Sequence, residues 1–231
     1  MLVKRLPCLV RYGLVAWFLV GGALIELPIL AMGQTPPVGG RWGPGSVFPP
    51  DGSPQFFPTG VFGAYHDLDA RAYSWYLRSM GEQPLPASSG EGQQSVYRVL
   101  VLPAYSSPVV VRLDAVADGT AELNTKVGKS DFTPEVLVVS GTKSVTRQDV
   151  KTFFGMLDSA NFWRTQSVQR DPRHHTFGGT GWLLEGTLDG VYHVTSWVEP
   201  RRVPCSDAAS FLVWNLGKVD LHRLPTQPPA R

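Results

Sequence analysis

The middle of the chain alternates between apolar and polar positions in a way that predicts β-hairpins. The segment from Val96 to Leu102 predicts a strand that ends before Pro103. Val109–Val116 and Thr120–Val127 flank Asp118-Gly119, which is typical of a hairpin turn. A three-residue turn places the apolar residues of both strands on one face, whereas a one-residue slip would expose them. We therefore predict a hairpin with the three-residue turn.

A second hairpin is predicted over about Trp182–Glu199, again around an Asp-Gly pair. The same preference for one apolar face selects the turn Leu188-Asp189-Gly190. This register groups Tyr192 with the apolar residues and places Glu185 directly opposite His193 on the other face. Trp197 lies further along that face.

Helical spacing of apolar residues predicts three helices. The first begins near Asp67 and ends at Gly81. The second is capped by Thr146, with Asp149 three residues later as a weak capping box. The third is capped by Ser206 and ends at Gly217. The elements together predict an α+β fold, in which about three helices pack on one face of an antiparallel sheet built from hairpins.

The N-terminal residues have the features of an export segment. Lys4, Arg5 and Arg11 precede an apolar run from Leu14 to Ile25, and Ala31-Met32-Gly33 matches a cleavage site. Residues 1–33 are therefore predicted to be a signal peptide, and the alternative is an uncleaved membrane anchor. Both place the rest of the chain outside the cytoplasm, in the periplasm or beyond, as expected for an exported bacterial protein.

Composition divides the remainder of the chain. Residues 34–60 are rich in proline and glycine and predict a disordered linker. Residues 61–224 are predicted to form a single α+β domain, and residues 225–231 a disordered tail. Without residues 1–33, 18 basic and 18 acidic side chains remain of the 21 and 19 in the chain. This balance argues against nucleic acid as a partner.

Only a few residues are candidates for chemistry. A carboxylate opposite a histidine, as predicted for Glu185 and His193, suits a general base with its orienting acid, or half of a metal site. The same two residues also suit an ordinary cross-strand pair. His174 and His175 are adjacent and are candidate metal ligands, but they lack the spacing typical of zinc sites.

The other chemical signals are weak. Tyr192 and Trp197 are candidate binding residues. Cys205 is the only cysteine besides Cys8 in the export segment, so an internal disulfide is not expected after cleavage. The chain has no G-x-S-x-G, H-E-x-x-H or G-x-G-x-x-G motif, and no cofactor is predicted.

Four segments resemble a family of uncharacterised exported bacterial proteins. They are Val96–Pro103, Pro108–Leu113, Ala160–Trp163 and Gly181–Pro200. The resemblance covers about residues 68–218 and implies a single domain. It implies no activity and supplies no catalytic residues.

These observations favour an exported domain that binds an envelope protein or a small ligand without catalysis. The alternative is a metal-dependent or hydrolase-like enzyme that uses Glu185 and His193. Contact with the membrane is expected only through residues 1–33, if they are retained.

Overall fold

Six antiparallel strands form one sheet in the computed structural model. The model describes residues 56–63, 67–85, 95–104, 106–130, 133–168, 179–199 and 203–224. The strand order across the sheet is β4-β3-β2-β1-β5-β6. The strands are β1 (Ser95–Leu102), β2 (Val109–Ala115), β3 (Ala121–Gly128), β4 (Leu137–Val145), β5 (Gly181–Leu188) and β6 (Val191–Val198).

The register of the first hairpin is confirmed. Ala115 pairs with Ala121, so the apolar residues of β2 and β3 share one face. Gly119 has a φ of 83° and its N–H donates to the carbonyl of Val116. Glycine adopts this left-handed conformation without steric cost, which makes the three-residue turn possible.

In the described part of the chain, three helices accompany the sheet, which confirms the α+β class. They are α1 (Asp67–Ser79), α2 (Arg147–Ser159) and α3, which is α-helical over Ser206–Ser210 and continues as a π-helix over Phe211–Leu216. The Thr146 hydroxyl accepts a hydrogen bond from the N–H of Asp149, as predicted for the cap of α2. In α3, Cys205 rather than Ser206 occupies the N-cap position, because the Ser206 hydroxyl bonds backward to the backbone of Val203.

The helices cover both faces of the sheet, so the prediction that they lie on one face is wrong. Side chains of α2 and α3 pack on the face that holds Tyr97, Val99 and Val101, which we call the α2/α3 face. Side chains of α1 and residues 56–62 pack on the opposite face, around Leu100. We call this second surface the α1 face. A central strand that is buried on both sides does not alternate between apolar and polar residues. Its sequence therefore does not show whether helices cover one face of the sheet or both.

The domain also begins earlier than residue 61. Phe56 and Phe57, placed in the linker by composition, are 3% and 5% exposed and belong to the core of the α1 face. The export segment, residues 34–55 and the tail 225–231 lie outside the described residues. No helix among the described residues is both long and apolar enough to span a membrane.

Candidate functional site

The second hairpin has a two-residue turn, so the predicted pairing of Glu185 with His193 is wrong. Asp189 and Gly190 both have positive φ, 50° and 78°, as a type I′ turn requires. Leu188 pairs with Val191, and Glu185 therefore pairs with Val194. His193 instead pairs with Gly186 on the other side of the sheet. Since the two side chains point to opposite faces, they cannot act together as base and orienting acid.

Glu185 is bound to Arg98 on the α1 face. Arg98 and Glu185 are direct neighbours on β1 and β5, and both are fully buried. The Nε and Nη2 atoms of Arg98 donate to Oε1 of Glu185 over 2.8 and 2.6 Å. The hydroxyl of Tyr192 donates to Oε2 of Glu185 over 2.8 Å. Both carboxylate oxygens therefore have a donor.

Glu82 and Lys126 extend this pair into a cluster. Nη1 of Arg98 donates to Oε2 of Glu82 over 3.1 Å and to the carbonyl of Gln83 over 2.8 Å. Lys126 donates to Oε1 of Glu82 over 2.6 Å. We call Glu82, Arg98, Lys126, Glu185 and Tyr192 the buried ionic cluster.

Electrostatics in the cluster favour the charged forms. Burial alone would raise the pKa of Glu82, but the cations of Arg98 and Lys126 hold it below its usual value. Burial would likewise lower the pKa of Arg98, but Glu185 and Glu82 raise it. Burial and the neighbouring Glu185 carboxylate raise the pKa of Tyr192, so the phenol stays protonated and donates its hydrogen bond to Glu185.

The cluster is closed to substrates. Glu82 follows the end of α1 and is only 5% exposed, and Arg98 lies 5.6 Å from the centre of the Phe56 ring. Two carboxylates, two cations and a neutral phenol satisfy one another here, and a third cation, Arg112, lies 3.9 Å from Oε2 of Glu82. Both carboxylates are buried, whereas Lys126 and Arg112 are partly exposed. The arrangement joins the segment that follows α1 to the sheet. A sequence signal existed, because Arg98 is the only charged residue in Val96–Leu102, and a buried charge requires a partner.

His193 lies half-buried on the α2/α3 face beside an aromatic cluster. Its ring meets the Phe162 ring edge to face, with centroids 4.9 Å apart. Its Nε2 is 3.2 Å from the hydroxyl of Thr165. Burial lowers the pKa of His193 and favours the neutral ring. Among the described residues no carboxylate is bonded to the imidazole, and the ring packs against Phe162 and Trp163.

The two candidate binding residues are also held inside the fold. Trp197 is 3% exposed and stacks on Trp182, its cross-strand partner, with ring planes 7° apart. Tyr192 is partly buried and engaged with Glu185. Neither presents an open aromatic surface, and both stabilise the hairpin.

A metal centre finds no support in the described part of the chain. No group of three or more histidine, cysteine, aspartate or glutamate residues there could hold a metal ion. His174 and His175 lie outside the described residues. Cys205 is buried, and burial raises the pKa of its thiol to about 11, so it is a poor nucleophile.

The two edges of the sheet differ in how they are covered. The outer edge of β6 is bonded to the segment after α2: Ser196 donates its N–H to the carbonyl of Ser167 over 2.8 Å, and Val168 forms a parallel bridge with Ser196. Strand β4 pairs with β3 on one side, and no other described strand pairs with it. Residues 138–144 of β4 are all exposed. Sequence analysis did not predict this strand.

The backbone groups on the open side of β4 can be identified from the neighbouring hairpin. Val116 donates to the carbonyl of Thr120 and Gly128 donates to that of Pro108, so even-numbered residues of β3 bond to β2. Bonded and non-bonded pairs alternate in antiparallel ladders, so the odd-numbered residues of β3 bond to β4. Their partners on β4 are also odd-numbered. The N–H and C=O groups of Ser140, Thr142 and Ser144 therefore point outward.

Apolar side chains flank these outward groups. Val136, Val138 and Val139 are 46%, 50% and 48% exposed. A long exposed edge with apolar residues is a template for pairing with another strand, which proteins normally block. We call residues 136–144 the open edge, and it is the candidate site that the described residues offer.

Comparison with known proteins adds no constraint on function. No protein-family model matches the chain, and a search of curated proteins finds no significant match.

Proposed function

We propose that the protein is a non-catalytic, exported protein-binding domain that binds an extended protein segment by strand addition to the open edge. The observation that carries this proposal is the run of seven exposed residues, 138–144, on a strand that has no described strand on its outer side. In strand addition, backbone hydrogen bonds supply affinity and flanking side chains supply specificity. Ser140, Thr142 and Ser144 supply the backbone groups, and the exposed valines supply an apolar flank.

The closed nature of the other candidate sites supports a binding role over an enzymatic one. Glu185 is fully buried on the α1 face, and His193 lies on the opposite face. An enzyme needs reacting groups that converge where a substrate can reach them. The open edge instead offers an accessible surface with directional backbone groups.

Export is part of the proposal and rests on residues 1–33 alone. We expect the mature chain to begin at Gln34 if the segment is cleaved. N-terminal sequencing of the protein recovered from the periplasm tests this. Recovery of the intact chain in the cytoplasm would overturn export and leave the binding proposal to its own test.

Site-specific photocrosslinking tests the binding surface. The full chain is produced in its native cells with a photoreactive residue in place of Lys143 on β4, or of Lys151 on the exposed side of α2. We expect a discrete adduct with a protein from position 143 and none from the matched position 151. Equal adducts from both positions, or none from position 143, would overturn the proposal.

Proline at position 140 separates binding from folding. The N–H of Ser140 points outward, so Ser140→Pro removes a donor from the open edge without removing a bond to β3. We expect the adduct from position 143 to disappear while the melting temperature stays close to that of the parent. Gly141→Pro is the matched control, since its N–H points inward and its loss should lower the melting temperature. An adduct that persists in Ser140→Pro would contradict strand addition.

A further inference from the structure

We infer that the occupant of the open edge is β4 of a second copy of this chain, so that two six-stranded sheets join across a twofold axis at Gly141. The inference rests on the proposed function and names its partner. Three features support it: the symmetry of the exposed segment, the side chains that this symmetry brings together, and a glycine that the described residues of one chain do not require.

The exposed segment is centred on Gly141. Residues 138–144 extend three residues to either side of it. An antiparallel pair of copies centred there brings every exposed residue of one β4 opposite an exposed residue of the other. Ser140 of one copy then lies opposite Thr142 of the second copy. The N–H and C=O groups of both residues point outward, so the two residues form a hydrogen-bonded pair of the kind that alternates with non-bonded pairs in an antiparallel ladder.

The side chains opposed in this register are compatible. Lys143 lies opposite Val139 of the second copy, so its aliphatic stem covers an exposed valine and its charge avoids another lysine. Ser140 opposite Thr142 is a pair of hydroxyl side chains that can bond across the strands. By contrast, a register centred on Lys143 would place two like charges directly opposite each other, which is destabilising.

The described part of one chain gives no structural reason for a glycine at position 141. Its φ is not positive, and a Cβ built on it meets no described atom within 4 Å. Glycine weakens a strand interior and there often marks a close approach of another backbone. At the twofold axis, Gly141 faces itself in a non-bonded pair, where the Cα atoms are closest, at about 4.5 Å. The second copy supplies the close approach that the single chain lacks.

Register-specific disulfides test the inference in the full chain carrying Cys8→Ser, in which the buried Cys205 is the remaining cysteine. Gly141→Cys should form a disulfide-linked dimer on mild oxidation, because Cα atoms across the axis fall within about 4.4–6.8 Å. Lys143→Cys is the equally exposed control. It should not form a dimer with itself, since the two positions lie four residues, about 13 Å, apart along the strands.

A mixture of variants tests the register. Val139→Cys and Lys143→Cys proteins should link to each other when mixed, because these positions are opposite in the inferred pair. Ser140→Pro added to Gly141→Cys should reduce the yield of linked dimer at least about tenfold, since the opposed backbone groups no longer bond. Unchanged melting temperatures of the cysteine variants would show that the folds are intact.

The outcomes separate this inference from the proposed function. Equal linkage at positions 141 and 143, or no linkage at position 141, would overturn the self-pairing. If that result accompanies an adduct of position 143 with a different protein, and Ser140→Pro removes the adduct, strand addition stands and only its partner changes. If neither linkage nor adduct forms, both proposals fail.

Discussion

Replacing Arg98 with methionine removes the cation from between two buried carboxylates. Glu185 would keep one donor, the hydroxyl of Tyr192, and would lose its two bonds from Arg98. Glu82 would keep Lys126 at 2.6 Å. The main consequence is therefore a fully buried Glu185 carboxylate with no countercharge.

The magnitude follows from the burial of both partners. Arg98 and Glu185 are 0% exposed, so solvent does not screen the orphaned charge. Breaking such a buried pair from one side costs about 3–5 kcal/mol. This is a factor of about 10² to 10⁴ in the folding equilibrium at 1.4 kcal/mol per decade. It is a large share of the about 5–15 kcal/mol that holds a typical domain folded.

Urea unfolding at neutral pH measures the effect, with Arg223→Met as the control. Arg223 forms an exposed ion pair with Asp220, away from the cluster. Its loss should cost less than about 1 kcal/mol. The double variant Arg98→Met/Glu185→Leu should recover most of the stability, because both buried charges of the pair are then absent.

A cost below about 1 kcal/mol for Arg98→Met, or a double variant less stable than the single one, would refute the reasoning.

Two further predictions concern the α2/α3 face. Burial lowers the pKa of His193, so the contribution of this residue to stability is complete above about pH 6.5 and is lost as the pH falls below that value. The difference in unfolding free energy between the parent and His193→Gln should therefore shrink on acidification, and a constant difference would contradict the burial argument. Gly186→Ala places a Cβ 2.6 Å from the Tyr97 ring and should lower stability by about 1–3 kcal/mol. Gly155→Ala in α2 meets no described atom within 4 Å and should raise stability by up to about 1 kcal/mol. Melting temperatures that shift in the same direction in both variants would contradict the packing.

The elements predicted from the sequence were those whose burial follows a simple pattern. The first hairpin was predicted with its register because one face of β3 is buried and the other carries polar residues such as Glu122 and Asn124. The cap of α2 was predicted because the Thr146 motif is local to the chain. In both, a few neighbouring residues decide the structure.

The register of the second hairpin failed for an identifiable reason. β5 is buried on both faces, with Glu185 under α1 and Leu184 under α2 and α3. The assumption that one face must be apolar does not hold for such a strand. The turn residues were then the better guide, since Asp189-Gly190 is typical of a two-residue type I′ turn.

The candidate site could not be predicted from the sequence, because β4 shows no hydrophobic pattern typical of a strand. Residues 138–144 are exposed on both faces, so the strand Leu137–Val145 lacks both an alternation and a continuous apolar run. Its structure depends on pairing with β3, which lies outside any local window. The lone charge in β1 signals a buried ion at Arg98, but its partners could not be predicted, because Glu82 and Lys126 are far from it in the chain.

Amide hydrogen exchange resolved along β4 tests the central claim of an open, pairing-competent edge most directly. In the dilute full chain, the amides of Gly141 and Lys143 should be protected by β3, and those of Ser140, Thr142 and Ser144 should exchange quickly. Raising the protein concentration should slow exchange at the three outward amides in the parent and leave it fast at Thr142 and Ser144 in Ser140→Pro. Outward amides that are already protected at high dilution, or that stay fast at every concentration while other surfaces gain protection, would contradict the account.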